Sequence, residues 1–305
     1  MPLKQPFIKT PNTIKYNILL TTSNFPMLIM AHSHLLAITN APFNGLQHLG
    51  FQRFMSHPHL RPWVQCYWIA QRDPLPNHSL SETVYPDAGS SLGLDFAGGE
   101  LPAVSFNAAK TSGKMVFTGS VHRIGIRFHP GGAFQLLGVE MSALTQDEFS
   151  ADALALPDIE QLQYQLAEAS EISQRLTLID TWLLKRANIT QAANGLVQQL
   201  LPRLMLAQEP IADLSSQLPI SLRQLERKFQ VEVGFSPAQV KQLHRIKLAR
   251  ALISQHPDQP LVQIAVDTGF YDQAHFIRQF QKITGLTPNQ YRLKKMSQKY
   301  NLSST

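Results

Sequence analysis

The sequence predicts an α+β protein with two parts. The amino-terminal part is a small antiparallel β-sheet or barrel domain with helices, and the carboxy-terminal part is an all-α domain with two helix-turn-helix units. Between residues 62 and 128, short aromatic and β-branched segments alternate with Gly and Pro, which is typical of strands and turns. After residue 159 the apolar residues follow helical spacing. Residues 225–291 contain one sequence pattern twice.

This reading divides the chain into four segments. Residues 1–54 are an extension without a sustained period, either a flexible arm or sequence upstream of a start at Met55. Residues 55–188 form a β-rich regulatory domain, and residues 192–294 form the double helix-turn-helix domain. Residues 295–305 are a basic tail.

Within the first domain, the residue pattern favours strands that are closed by Gly or Pro. A short helix is expected at Ala133–Leu137, and a helix pair over Ile159–Leu184 carries an apolar stripe. That stripe either packs on the sheet of the same chain or forms a seam between two copies. The predicted strands are Trp63–Ile69, Ser91–Phe96, Lys114–Gly119 and Ile124–Phe128, and the stripe comprises Leu162, Leu166, Ile172, Leu176, Ile179 and Leu183.

Charge is divided unevenly along the chain. The formal net charge is +6, and residues 196–305 contain 14 Lys or Arg against 7 Asp or Glu, so the positive excess lies in the repeated region. A basic domain beside a neutral one is typical of a nucleic-acid-binding domain with a regulatory partner. A solvated basic surface would give the same count, so charge alone does not decide between them.

Cysteine usage excludes several kinds of site. Cys66 is the one cysteine, which rules out an internal disulfide and a multi-cysteine zinc site, and fits a reducing cytoplasm. Its aromatic, apolar surroundings favour an inert core thiol over a redox sensor. The pairs His32/His34 and His57/His59 have ligand-like spacing but no acidic or thiol partner close in sequence. No metal site, cofactor or catalytic residue is predicted, and Ile18–Ile38 is too interrupted by polar residues for a membrane span.

The repeat consists of a helix, a Gly and a new capped helix. Leu225–Gln230 runs on to Gly234–Val240, and Phe276–Gln281 runs on to Gly285–Tyr291. Phe229 and Phe280 with their apolar neighbours are predicted to be core. Ser221 with Gln224, and Ser236 with Gln239, have the spacing of capping boxes. The long helix after Ser236 would hold the two units at a fixed distance.

Two recognition helices are predicted, at Ser221–Gln230 and Asp272–Ile283, with double-stranded DNA as partner. A helix fits the major groove, where Arg can bind guanine and Gln can bind adenine through paired hydrogen bonds. Hydroxyl and basic groups near helix ends bind phosphate. The predicted base-facing residues are Arg223, Gln224, Glu226, Arg227, Gln273, His275, Arg278 and Gln279, and the predicted phosphate contacts are Ser221, Lys228, Lys282 and Arg292.

Residues 192–294 resemble the AraC/XylS-type DNA-binding domain, most closely over Thr268–Phe280 and Gly285–Arg292. The resemblance implies base-facing positions at Arg223, Glu226 and Arg227 in the first unit and at Gln273, His275 and Arg278 in the second. Three positions depart from the family pattern. Pro219 replaces a turn Gly and Ser215 replaces an interhelix Ala, while Glu226 either accepts from cytosine or repels phosphate.

Trp63–Trp68, Tyr85–Gly89 and Gly125–Gly132 resemble the β-rich domain that precedes some AraC-type domains, and such domains resemble ligand-binding or dimerising modules. The combined prediction is a cytoplasmic, sequence-specific transcription regulator, with activation or repression left open. Its candidate partners besides DNA are a small-molecule effector, RNA polymerase and a second copy. The alternative is an enzyme with an accessory DNA-binding domain, against which stand the single cysteine and the lack of a G-x-S-x-G sequence. The candidate effector pocket comprises Trp68, Tyr85, Asp87, Arg127 and His129.

Overall fold

The computed structural model describes residues 50–73, 80–117, 119–144, 148–150, 154, 156, 158–187, 195–206 and 210–303. The predictions for residues 1–49, including Ile18–Ile38 and the His32/His34 pair, lie outside the described residues. The boundary between the two predicted domains, at residues 188–192, also lies outside them. We use "amino-terminal domain" for the described residues up to 187 and "helical domain" for those from 195 onward.

The amino-terminal domain is built on antiparallel strands, as predicted. In the described part of the chain, six strands form one sheet in the order β1-β2-β7-β4-β5-β8, and β3 pairs with β6 in a second sheet. Every pairing is antiparallel. The strands are β1 (Gln52–Phe54), β2 (Val64–Arg72), β3 (Leu80–Val84), β4 (Ser90–Asp95), β5 (Ala103–Asn107), β6 (Gly113–Phe117), β7 (Val121–Phe128) and β8 (Glu148–Ser150).

Three helices complete this domain: α1 (Gly132–Leu137), α2 (Ile159–Glu168) and α3 (Ile172–Arg186). The apolar stripe of α2 and α3 lies in one core cluster with the strands, so it packs on the sheet of its own chain. Tyr67 anchors α3 further, because its hydroxyl donates a 2.5 Å hydrogen bond to the buried carboxylate of Asp180. These helices therefore cover one face of the sheet.

The opposite face of the sheet carries Trp68, whose ring lies directly over Gly125. A Cβ at Gly125 would come within 1.9 Å of the Trp68 ring, so this position requires glycine. Trp68 also stacks on Phe51, with the ring centroids 5.9 Å apart. Both contacts fix the Trp68 side chain against its own sheet.

The start of the domain differs from the prediction. Strand β1 pairs with β2 in the register Gln52 to Ile69 and Phe54 to Tyr67, and thus adds residues that precede Met55. Strands β1, β3, β5 and β8 were not predicted individually. The predicted extension of residues 1–54 is therefore too long by at least three residues at its carboxyl end.

The helical domain contains two short-helix, turn, long-helix units, as predicted. The seven helices described in this domain are α4 (Leu196–Leu206), α5 (Ile211–Ser216), α6 (Leu222–Val233), α7 (Pro237–Gln255), α8 (Leu261–Asp267), α9 (Gln273–Thr284) and α10 (Pro288–Ser303). Both capping boxes form, at Ser221 with Gln224 and at Ser236 with Gln239. Gly234 and Gly285 end α6 and α9 in the left-handed conformation, at φ values of 80° and 74°.

Helix α7 belongs to the cores of both units. Its first half contributes Val240 and Leu243 to the cluster that contains Leu225 and Phe229. Its second half contributes Ile246, Ala249 and Ile253 to the cluster that contains Phe276 and Phe280. The four predicted core residues on α6 and α9 are thus buried. Helix α7, with 19 residues, is packed into both cores. It therefore holds each helix-turn-helix unit in a fixed orientation relative to the α7 axis.

The carboxyl terminus differs from the prediction. The final helix was expected to be short and to end near Arg292, followed by a basic tail at residues 295–305. Instead α10 continues to Ser303 without interruption. No Gly or Pro lies between Pro288 and Ser303, and Arg, Leu, Lys and Met favour helix, so nothing in this segment ends the helix earlier.

Candidate nucleic-acid interface

Helix α6 presents one buried side and one polar side. Leu225 and Phe229 are buried, whereas Arg223, Glu226 and Arg227 are exposed. Arg223 and Arg227 lie one helical turn apart and line a shallow cleft of about 320 Å³ together with Ser221 and Gln224. Four of the predicted contact residues are therefore grouped at the amino-terminal end of α6, where orphan backbone N–H groups also attract anions.

Two of these four residues are occupied by the helix cap. The Gln224 side-chain oxygen accepts from the Ser221 backbone N–H at 2.9 Å and from the Ser221 hydroxyl at 3.1 Å. The Ser221 oxygen accepts from the Gln224 backbone N–H at 3.3 Å. A paired contact with adenine needs both the oxygen and the nitrogen of the Gln amide. Gln224 cannot make this paired contact while it caps α6, so its base-reading role stays a prediction that requires the cap to open.

Helix α9 presents an equivalent polar side in the second unit. Asp272 caps it by accepting from the His275 backbone N–H at 2.6 Å. Gln273 and Arg278 are exposed, and Gln279 is half-buried. His275 is also half-buried, because its ring packs edge-on against Phe270 with centroids 5.6 Å apart. Gln273 and Arg278 are therefore the most accessible of the predicted contacts in this unit.

The basic residues that were predicted to contact phosphate differ in how accessible their charged groups are. Lys282 is exposed on α9. Lys228 lies 3.8 Å from Glu232 and is half-exposed, which leaves the ammonium accessible. Arg292 donates a 2.6 Å hydrogen bond from Nη2 to the Gln259 carbonyl, and its Nε is buried without a partner. This bond ties α10 to the turn after α7, so the structure gives Arg292 a bracing contact within the domain instead of a free guanidinium.

The first unit accommodates its departures from the family pattern. The Ser215 hydroxyl donates to the Ala212 carbonyl at 2.8 Å, which satisfies it within its own helix. Pro219 lies exposed in the turn between α5 and α6. In the second unit, the turn has Gly269 at φ 79°, packed against the Arg245 guanidinium. The two units thus reach similar arrangements with different turn chemistry.

Two apolar side chains beside the predicted contacts are exposed: Tyr271, whose exposure was not predicted, and Leu222, which its helical spacing with Leu225 and Phe229 predicted to be buried. Tyr271 is 95% exposed and directly precedes the cap of α9, and Leu222 is 42% exposed at the first position of α6. Both lie beside the predicted contact residues of their unit. Their positions in the repeat could have identified them, since each flanks the capping residue of a recognition helix.

The amino-terminal domain packs against the carboxyl end of α6. Gln135 on α1 donates to the Glu232 carboxylate at 3.1 Å, and burial raises the pKa of Glu232. Gly234 packs against Met141, and Gln198 on α4 donates to the Pro130 carbonyl at 3.0 Å. The first recognition helix is therefore contacted by both domains near its carboxyl end, while its polar side stays exposed from Arg223 to Gln230.

The loop Tyr85–Gly89 forms a second contact between the domains, on α7. Asp87 binds Arg127 of its own domain and accepts from the Lys247 ammonium at 2.9 Å. Although burial by itself raises the pKa of Asp87, the charges and hydrogen bonds of Arg127 and Lys247 outweigh it and hold that pKa far below its ordinary value. Ala88, at φ 63°, inserts into the core of the first helix-turn-helix unit.

The same loop reaches the second unit through aromatic contacts. The Arg250 guanidinium lies 3.9 Å from the centre of the Tyr85 ring, and Tyr85 packs edge-on against Tyr291 at 6.0 Å. Four of the five residues predicted for an effector pocket, Tyr85, Asp87, Arg127 and His129, thus lie at or beside the contact with α7. Lys247 lowers the pKa of His129 together with burial, which contributes most. Trp68 instead packs on its own sheet, and the pocket role of all five stays a prediction.

His244 gives this contact a dependence on pH. Burial, with a smaller contribution from Lys247, lowers the pKa of His244 to about 4 from an ordinary 6.5. A folded-state pKa below the unfolded value stabilises the fold above pH 6.5, and this contribution is lost as the pH falls toward 4. We expect the free energy of unfolding to fall by about 1–2 kcal/mol between pH 7 and pH 4.5 on this account, allowing for partial exposure.

Urea unfolding of the wild type and of His244→Gln at both pH values tests this expectation. In His244→Gln, the free energy of unfolding should fall less between these pH values than it does in the wild type. It should still fall somewhat, because burial also lowers the pKa of His122 and His129. Equal declines in the two proteins would contradict the assignment to His244.

The remaining candidate groups of the amino-terminal domain are structural. Cys66 is buried and free, and burial raises the pKa of its thiol, which disfavours the reactive thiolate. His57 Nδ1 accepts from the His59 backbone N–H at 3.3 Å. Within the described part of the chain, no group of three or more His, Cys, Asp or Glu side chains is placed to hold a metal ion. No described helix is long and apolar enough to cross a membrane.

Comparison with known families agrees with this geometry. Residues 214–294 match a family described as "Helix-turn-helix domain", and they contain both units and the repeated signature. This match confirms the predicted helix-turn-helix domain in these residues. Residues 52–150 match a second family, described as "Domain of unknown function (DUF6597)", which starts at β1 and ends at β8.

One curated relative that this chain resembles is the probable transcriptional regulator LumQ of Photobacterium leiognathi. It is 29% identical over 120 residues, which are 39% of this chain and 46% of LumQ. The chain therefore spans less than half the length of the curated relative that it matches.

Two solved structures are also similar. A probable AraC family transcriptional regulator from Rhodopseudomonas palustris CGA009 is 23% identical, covering 32% of this chain and 95% of its own, with a TM-score of 0.30. Unsaturated-fatty-acid-bound ToxT from Vibrio cholerae strain SCE256 is 12% identical, covering 78% of this chain and 96% of its own, with a TM-score of 0.37. These TM-scores are too low to establish a shared overall arrangement.

Proposed function

We propose that this protein is a transcription regulator that binds double-stranded DNA in a sequence-specific manner and reads two neighbouring major-groove segments. The observation that carries the proposal is the pairing of two capped helices with exposed Arg-containing faces, α6 and α9, on one shared spacer helix. Arg223 and Arg227 supply donors in the first unit, and Gln273 and Arg278 supply them in the second.

The length of the spacer supports reading by a single chain. Nineteen residues of helix in α7 extend about 28 Å at 1.5 Å per residue. Successive turns of the major groove recur every 34 Å or so along B-form DNA. Two units attached near the ends of such a helix can reach successive turns on one side of the duplex. Lys282 and the ammonium of Lys228 add phosphate contacts that set position without reading sequence.

The amino-terminal domain modulates this activity in our proposal. It contacts α6 through Glu232 and α7 through Lys247, so a change in its packing reaches both the first recognition helix and the spacer. A small-molecule effector is the proposed signal, and RNA polymerase and a second copy of the chain are proposed further partners. A regulator that binds chromosomal DNA in bacteria acts in the cytoplasm, where we place this protein.

Selection from a genomic fragment library, followed by electrophoretic shift of the enriched fragments, tests the proposal. We expect one enriched motif with two half-elements about one helical turn apart, bound at least about 10³-fold more tightly than random DNA. Affinity should fall steeply as salt rises, because each neutralised phosphate releases counterions. Weak binding that is indifferent to sequence would refute the specific regulator and leave a general DNA-binding protein.

The negative charge of Glu226 allows two opposite effects on DNA binding, and the same fragments distinguish them. If its carboxylate accepts from the amino group of cytosine, Glu226→Gln should weaken binding at one base pair and relax the preference there. If it only repels phosphate, the same variant should strengthen binding to all fragments alike. The two readings thus predict changes of opposite sign.

A further inference from the structure

A cleft of about 410 Å³ lies in the amino-terminal domain, away from the predicted effector pocket and from the contact with α7. It is bounded by β1, β2 and β7 on one side and by the α2–α3 turn and the start of α3 on the other. The lining residues are Phe54, Gln71, His122, Ser170, Glu171, Ile172, Ser173, Arg175 and Leu176. The lining combines apolar walls with one strongly basic group.

Arg175 gives this cleft a positive charge that no carboxylate cancels. Its residue is only 9% exposed, and among the described residues no Asp or Glu forms an ion pair with it. Its Nε donates to the carbonyls of Leu166 and Ala169, at 3.2 and 2.8 Å. These carbonyls end helix α2 and supply about half an elementary charge of compensation, which leaves the guanidinium positive on balance. A buried cation without a full counter-charge is unusual.

The neighbours of Arg175 do not remove that charge. His122 Nε2 lies 3.0 Å from Arg175 Nη1 and therefore accepts from it as a neutral ring. Burial and Arg175 both lower the pKa of His122, which agrees with the neutral form. Glu171 is exposed at the rim, and it leaves the first turn of α3 without a side-chain cap. The unbonded N–H groups of that turn add to the positive potential of the cleft.

We propose that this cleft binds a small organic carboxylate. The anion would lie between the Arg175 guanidinium and the first turn of α3, with Ser173 as a further hydroxyl donor. The Nη2 of Arg175 has no hydrogen-bond partner among the described residues and is the donor that remains for it. The apolar part of the ligand would pack against Phe54 and Ile172, and the volume accommodates roughly a six-carbon acid with room for water.

The position of the cleft connects it to the first recognition helix. Helix α3 packs against α1, and α1 packs against α6 and binds Glu232 through Gln135. A ligand that fixes the start of α3 is therefore linked to α6 through one intervening helix, α1. This regulatory consequence rests on the proposed function, whereas the binding itself does not.

Calorimetric titration of the full chain with sodium 4-methylpentanoate tests the inference, with 4-methylpentanamide as a neutral ligand of the same shape. We expect one site per chain with a Kd on the order of 1 mM or tighter for the acid, and binding at least about tenfold weaker for the amide. The variant Gln71→Glu places a carboxylate of the same shape inside the cleft, across from His122. It should weaken binding of the acid at least about tenfold, since its charge would neutralise Arg175.

A second pair of variants keeps the test decisive if Gln71→Glu does not fold. Ser173→Asp adds a carboxylate in the first turn of α3, where a negative charge favours the helix, and Ser173→Asn is its neutral match. Ser173→Asp should lose binding of the acid and Ser173→Asn should retain it within about threefold. No saturable binding of the acid, equal binding of acid and amide, or binding unaffected by Gln71→Glu and Ser173→Asp would overturn the inference. DNA binding is read separately by electrophoretic shift, so failure here leaves the proposed function standing.

Discussion

Replacing Arg227 and Arg278 together by Ala is expected to lower the affinity for the specific site by between about 25-fold and about 2 × 10⁴-fold. The two side chains occupy equivalent positions of the repeat on α6 and α9, and both are exposed. A paired Arg–guanine contact discriminates by ~1–3 kcal/mol, and every 1.4 kcal/mol is a factor of ten. Each single variant should bind the specific site ~5-fold to 150-fold more weakly. The two losses of binding free energy should add, because α6 and α9 belong to separate core clusters.

Electrophoretic titration against the selected site and against single-base variants measures this effect. Losing Arg278 should relax the preference at one base pair of one half-element, and losing Arg227 should do so in the other. Arg61→Ala is the matched control, since it removes the same charge from an exposed position of the amino-terminal domain. Lys282→Ala should weaken binding to all sequences and reduce the salt slope by about 1. A double variant that binds as tightly as Arg61→Ala would show that these faces do not meet DNA.

The helical domain could be predicted closely because its signals are local. Leu225 and Phe229, like Phe276 and Phe280, follow helical spacing, and that spacing alone identifies the buried side. The cap residues Ser221, Ser236 and Asp272 each bind a backbone N–H within three residues. Interactions of this range depend only on residues that lie close together in the sequence.

The two roles predicted for Gln224, in the helix cap and in a paired base contact, cannot be performed at the same time. In the sequence, its position satisfies both the capping-box pattern and the pattern of a base-contacting residue. The structure shows that the cap uses the side-chain oxygen that a paired adenine contact would need. The conflict could have been resolved beforehand by counting the hydrogen bonds that one amide can make.

The contact between the domains could not be predicted for the opposite reason. Asp87 and Lys247 are 160 residues apart, and nothing near either of them in sequence indicates the other. The segment Tyr85–Gly89 was identified by its resemblance to a β-rich sensor domain, and Tyr85 and Asp87 were predicted to line an effector pocket. In the folded chain, these two side chains contact α7 and α10, which the resemblance did not indicate. Short edge strands such as β1 and β8 were missed because three residues carry too little periodicity to detect.

Asp87→Ala is expected to destabilise the protein by ~3–5 kcal/mol, the largest effect on stability that we predict for a single charged residue. The Asp87 side chain is only 14% exposed and binds both Arg127 and Lys247. Removing it leaves two cations close together at the contact between the domains, each without its counter-charge. Asp87→Asn keeps the shape and some hydrogen bonding but loses the charge, and should therefore be nearly as damaging.

Urea unfolding at pH 7 measures this effect, and Asp95→Ala is its control. The Asp95–Arg123 pair has a similar geometry, at 2.6 Å, but is about a third exposed and lies within the amino-terminal domain, so its loss should cost at most ~1 kcal/mol. Removing Lys247 instead should be milder than removing Asp87, because Lys247 is 40% exposed and Arg127 still neutralises Asp87. Comparing the wild type, Asp87→Asn, Lys247→Met and the double variant gives the coupling energy between Asp87 and Lys247 across the domain contact.

The pH dependence separates this ion pair from ordinary packing. Since the pKa of Asp87 is lower in the folded than in the unfolded state, its stabilisation is present at neutral pH and is lost as the pH falls below about 4. The difference in unfolding free energy between the wild type and Asp87→Asn should therefore shrink in acid, below the range in which His244 titrates. A difference that stayed constant down to pH 2.5 would mean that Asp87 acts through hydrogen bonds that do not depend on its ionisation. The amino-terminal domain would then be held to α7 by the aromatic contacts of Tyr85 with Arg250 and Tyr291.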